Sequence, residues 1–200
     1  MKKKLTTLVL LLAFAAVAVT GGTLAYFTDK TDAAVNIFTM GNVKIELSEP
    51  NWVASNATNV YPGKTLVKDP TVTIVGSNDT FVRLKLTVAS KVLDVYKTQA
   101  IDTYEKIFPV LVKDLQSDWS LTKVESKNDN VIYTVTCAKK LETGNSVKAF
   151  KQIYISEQFT NEDVEALTDA KFNITVVAEA IQADGFTDAT AAFTAFDNQA

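Results

Sequence analysis

The sequence predicts an all-β protein, an antiparallel jelly-roll-like β-sandwich with short helical insertions. Three observations predict it. Apolar and polar residues alternate through residues 43–47, 72–74, 81–88, 131–137 and 172–182, the period of a half-buried strand. Turn-forming clusters separate these runs, among them Gly76-Ser77-Asn78-Asp79 and Lys127-Asn128-Asp129-Asn130. A helical period is confined to residues 91–115 and two shorter stretches near the end. About eight such strands with few helices fit a sandwich or jelly roll. No self-similar period is visible, which argues against a solenoid.

The chain opens with Lys2, Lys3 and Lys4, an unbroken apolar run over residues 8–19, then Thr20-Gly21-Gly22-Thr23 and Ala25. Basic, apolar, small is the order of a secretory signal peptide over residues 1–25. The apolar run is shorter than the ~20 residues a membrane span needs. Cleavage is expected between Ala25 and Tyr26, which leaves residues 26–200 as one domain. Membrane contact is then expected only through the uncleaved leader.

The strands follow in order. Val43, Ile45 and Leu47 alternate with Lys44 and Glu46, and Pro50 ends the run. Residues 51–59 read as a loop. Tyr61-Pro62-Gly63-Lys64 has Pro then Gly at the centre of a type II turn. Val72 and Ile74 mark the next strand. In 81–88, Val82, Leu84, Leu86 and Val88 share one face, and Arg83, Lys85 and Thr87 the other, which reads as solvated. Residues 91–115 place Leu93, Tyr96, Ala100, Tyr104, Ile107 and Phe108 near a helical period, with Pro109 as an interruption. Strands resume at 119–125 and 131–138 across a turn, then at 149–155. Thr160 with Asp163 predicts a capping box opening a short helix. Residues 172–182 form a long strand whose second face, with Val177 and Ile181, is apolar enough for a central position. Thr187 is the expected cap of a last helix over 188–196.

The composition excludes several functions. The net charge of −3 becomes −6 once the three leader lysines are set aside, which argues against nucleic acid as a partner. The chain has no histidine, so Ser–His catalysis and imidazole zinc sites are ruled out. Cys137 is the single cysteine; its strand parity with Val131, Tyr133 and Val135 makes it a buried thiol, and no internal disulfide can form. The acid pairs Glu162/Asp163 and Asp29/Asp32 lack calcium-loop spacing. No catalytic, cofactor-binding or metal-ligating set is therefore expected.

Several strings resemble one family. Gly21-Gly22-Thr23-Leu24-Ala25, Tyr26 and Phe27, then residues 38–47, are similar to the leader and first strand of the TasA/camelysin group. Tyr61-Pro62-Gly63-Lys64, Lys68-Asp69-Pro70, Gly76-Ser77-Asn78-Asp79 and residues 180–186 match as well. Residues 91–159 match only as alternating strands. The resemblance implies a secreted protein of Gram-positive bacteria, cut by a SipW-type signal peptidase. It implies a jelly-roll-like subunit of the extracellular biofilm matrix, whose partners are further copies of itself, joined head to tail, and other matrix proteins. In such filaments the segment after the cut adds a strand to the next subunit, by pairing with an exposed sheet edge. Residues 26–37 are the candidate donor here, with Tyr26, Phe27, Val35 and Ile37 as the pocket-filling side chains. The camelysin branch also implies a metalloendopeptidase, for which this chain lacks the imidazoles. A third reading is an accessory module that docks on fibres made by another subunit.

Overall fold

The structure, a computed structural model, describes residues 41–58, 60–98, 100–169 and 172–199. Its strands are β1 (Ile45–Ser48), β2 (Thr65–Val67), β3 (Thr71–Ile74), β4 (Thr80–Ala89), β5 (Val112–Lys113), β6 (Trp119–Lys127), β7 (Asn130–Cys137), β8 (Ser146–Lys148), β9 (Gln152–Tyr154) and β10 (Thr175–Gln182). The helices are α1 (Ser90–Asp94), α2 (Tyr104–Leu111), α3 (Asn161–Asp169) and α4 (Ala189–Asp197). The leader and residues 26–37, with Ala25, Tyr26, Phe27, Val35 and Ile37, lie outside the described residues.

One sheet has the order β10-β4-β7-β6, every pair antiparallel. Two three-stranded sheets, β1-β3-β8 and β2-β9-β5, form the other layer. They join because β2 continues into β3 through Lys68-Asp69-Pro70, and β8 into β9 through Ala149-Phe150-Lys151. Lys68 N donates to Lys151 O at 3.1 Å, and Ala149 N to Pro70 O at 3.0 Å, so the ladder persists across both bends. The second layer is thus four chain paths wide: β1, β2–β3, β9–β8 and β5. The protein is an all-β sandwich of two antiparallel layers.

The alternation of β4 explains its central place. Val82, Leu84, Leu86 and Val88 are buried against β7 and the opposing layer. Burying each such side chain contributes about 1.5–3 kcal/mol. β6 and β7 join through Asn128 and Asp129, both at positive φ (50° and 60°), the geometry of a two-residue hairpin whose twist matches the strands. Cys137 is buried and free.

Some expectations need correction. The strand expected over 149–155 is only β9, Gln152–Tyr154; the residues before it form the bend after β8, where Ala149 and Phe150 are fully buried. The strand at the end starts at Thr175 rather than at residue 172, and among the described residues β10 pairs with β4 alone, at the edge of its sheet. Val177 is 50% exposed on its outer face, while Ile181 packs beneath α4. Pro109 lies inside α2, where the buried Ile107, Phe108 and Leu111 hold the helix despite one missing hydrogen bond. The cap of α4 is Asp188, not Thr187: its carboxylate accepts from Ala191 N at 2.9 Å.

Candidate interaction site

The two layers do not close equally on all sides. Along β10, Val176, Ala178 and Ala180 face inward opposite Leu86, Leu84 and Val82. The β4 residues are buried, yet their β10 partners are only half-buried. On the facing layer, Ile45 and Leu47 of β1 pair with Ile74 and Val72, which are fully buried. Leu47 itself remains 38% exposed. Where β1 and β10 approach each other, these inward-facing apolar rows, one on each layer, are thus less fully covered by the described residues than their cross-strand partners are.

Beyond the end of β1, the open side widens into a cleft of about 230 Å³. Trp52, Val60, Leu66, Ile153, Phe172 and Ile174 line it. The loop between β1 and β2 brings Trp52 there, and the Lys68-Asp69-Pro70 bend anchors that loop. Asp69, 1% exposed, accepts from Asn51 N at 3.1 Å, Asn51 Nδ2 at 2.7 Å and Lys148 Nζ at 2.9 Å. Burial alone would push this carboxyl up, but the hydrogen bonds from Lys148 and Asn51 outweigh it and hold its pKa below the ordinary value. Lys68 reaches Glu49 at 2.7 Å and lies 5.3 Å from the centre of the Trp52 ring. The motif is thus a clamp that positions an aromatic side chain over the cleft.

At the other end, the chain enters the domain across the Gly76-Ser77-Asn78 turn. Asn42 N donates to Ser77 Oγ at 3.0 Å, and Gly76 N to Lys44 O at 2.9 Å. A Cβ on Gly76 would lie 2.5 Å from Asn42 O and from Lys44 N, so only glycine lets the two segments cross this closely.

The outer face of β4 is not solvated as the alternation suggests. Arg83 is 4% exposed. Its Nε donates to Glu179 Oε2 at 2.6 Å, and Nη1 to Asp197 Oδ2 at 3.0 Å. The guanidinium carbon lies 4.5 Å from the Phe193 ring centre and 5.2 Å from that of Phe196. Lys85 pairs with the second oxygen of Glu179 at 2.7 Å. The hydrogen bonds from Arg83 hold the Asp197 carboxyl below its ordinary value. The covering helix comes 114 residues later in the chain than Arg83, so strand parity could not reveal it.

The acid pair Glu162/Asp163 lies in the first turn of α3. Asp163 Oδ2 accepts from Thr160 N and Thr160 Oγ1, each at 2.8 Å, the expected capping box; Glu162 is exposed beside it. Asp29 and Asp32 lie outside the described residues. Among the described residues, no three His, Cys, Asp or Glu side chains converge as metal ligands. Nor is any described helix long and apolar enough to cross a membrane.

The model of one family, described as camelysin metallo-endopeptidase, matches residues 1–186. The chain belongs to that family. No curated protein matches it. Membership makes this a camelysin-like or matrix protein of a secreted and surface family. The family match ends before α4, so the cover on Arg83 lies beyond it.

The metal that the camelysin description implies does not fit the residues present. A catalytic zinc site draws chiefly on imidazoles, and the chain has none. Among the described residues, Glu49, Asp69, Asp163 and Asp197 are engaged as a cap and in ion pairs, and no three carboxylates gather around one point. No reaction step through a metal follows from this chain.

Proposed function

We propose that this camelysin-family chain is a structural subunit of an extracellular matrix filament, in which residues 26–37 of one copy add a strand to the open side of the next. The reading begins with cleavage after Ala25 by a SipW-type peptidase, which frees Tyr26 and Phe27 as a new chain end. The observation that carries it is the incomplete cover of the two inward rows. Among the described residues, Leu47 on β1 is exposed and Val176, Ala178 and Ala180 on β10 are half-buried, while their cross-strand partners are buried. Tyr26, Phe27, Val35 and Ile37 supply apolar side chains for that gap, and the β10 backbone supplies hydrogen bonds.

The two edges of the β10-β4-β7-β6 sheet differ. β6 carries a register shift at Thr122 and exposes Lys123, Ser126 and Lys127, features that discourage pairing. β10 is regular over its whole length. One receptive edge and one blunted edge favour a single, heterologous contact, and a heterologous contact that does not close gives an open filament.

Electron microscopy of the chain beginning at Tyr26 tests the reading, beside a variant lacking residues 26–36. Filaments from the first and none from the second support it. Equal binding of both to pre-formed matrix, with no filaments from either, favours an accessory docking module instead.

A further inference from the structure

The helix α4 has no part in the sandwich core. Ala189, Ala192 and Phe193 pack on Phe81 and Ala183 as a separate cluster on the outer face of the β10-β4 pair. Phe196 and Ile181 border that cluster. The helix also lies past the region that the family match covers. What ties it to the sheet is one buried cation. Arg83 on β4 holds Glu179 on β10 with its Nε and Asp197 on α4 with its two terminal nitrogens, beside the rings of Phe193 and Phe196.

Glu179 sits in the middle of β10, a strand that hydrogen-bonds to a single described neighbour. A one-sided edge strand is the part of a sheet that opens most easily. A strand that must meet an incoming chain binds it more tightly when it is already extended and fixed, because the ordering cost is not met at binding. The Glu179–Arg83–Asp197 bridge supplies such fixation from the outer face and leaves the inner row of β10 free.

We propose that α4 is a brace for the receiving edge: Arg83 and Asp197 are positioning residues that hold β10 in the extended register an added strand must meet. The proposal rests on the strand-pairing reading of the β10 edge. It concerns residues on the opposite face from the added strand, and a residue segment that the family match does not include.

Amide hydrogen exchange and peptide binding on the full chain test it, with Asp197→Asn and Asp197→Glu compared to the unmodified protein. The probe is a fluorescent peptide of residues 26–37. Asp197→Asn is expected to raise exchange across Thr175–Gln182 about tenfold while β6 and β7 stay unchanged, and to weaken the peptide about tenfold. Asp197→Glu, which keeps the charge, is expected to recover most of both. Unchanged exchange in β10, or equal acceleration in all four strands of the sheet, overturns the brace. If the unmodified chain binds no peptide, the strand-pairing reading fails and the exchange pattern alone decides whether α4 braces β10.

Discussion

Lys148 on β8 places its ammonium 2.9 Å from Oδ2 of Asp69, a carboxylate only 1% exposed at the bend between β2 and β3. The pair joins the two halves of the second layer, and Asn51 adds the loop that carries Trp52. A buried carboxylate with three donors is a strong local anchor, since removing it strands each donor.

Asp69→Ala is expected to cost about 2–3 kcal/mol, the range for lost hydrogen bonds to a charged group. Urea unfolding measures the loss. Trp52 should also move toward solvent, so native-state fluorescence should shift to the red, while Trp119, 4% exposed, stays unchanged.

Acid should destabilise the protein. Asp69 and Asp197 both have folded pKa values held below the ordinary 3.8. Their contribution is complete above that value and is lost as pH falls through the folded ones. The melting temperature is expected to stay nearly level from about pH 7 to 5 and to fall below about pH 4. The fall should be shallower in Asp69→Asn, which no longer has that proton to gain.

Much of the fold was legible because burial imposes a period of two. The parity of Val82, Leu84, Leu86 and Val88 predicted the inner face of β4, and the turn residues Lys127-Asn128-Asp129-Asn130 predicted the hairpin between β6 and β7. Parity does not say what covers the opposite face. Arg83 reads as solvated because Glu179 and Asp197 are 96 and 114 residues away. Val177 and Ile181 read as a central strand's second face, although one is exposed at an edge and the other lies under α4. β2 escapes pattern reading because three residues with one buried side chain, Leu66, carry no period. The approach of β1 to β10 was not legible, because their strands lie 130 residues apart in sequence, as Glu46 and Val176 are, and only folding brings them together.

Gly76→Ala should strain the point where the chain enters the domain. The added Cβ would meet two backbone atoms at 2.5 Å, and backbone cannot rotate aside as a side chain can. Overpacking of this kind costs about 1–3 kcal/mol. A lower urea midpoint with an unchanged slope is the expected result.

Casein cleavage should show no chelator-sensitive component when the clean chain is assayed. The chain has no imidazole, and among the described residues no three His, Cys, Asp or Glu side chains converge as metal ligands. Activity that disappears with chelator and returns with zinc would contradict this.

The most direct test of the account is amide exchange in assembled against unassembled chain beginning at Tyr26. Assembly is expected to slow exchange across Thr175–Gln182 and in residues 26–37, while the blunted edge β6 exchanges as before. Filaments in which β10 still exchanges at its unassembled rate, with β6 protected instead, would contradict it.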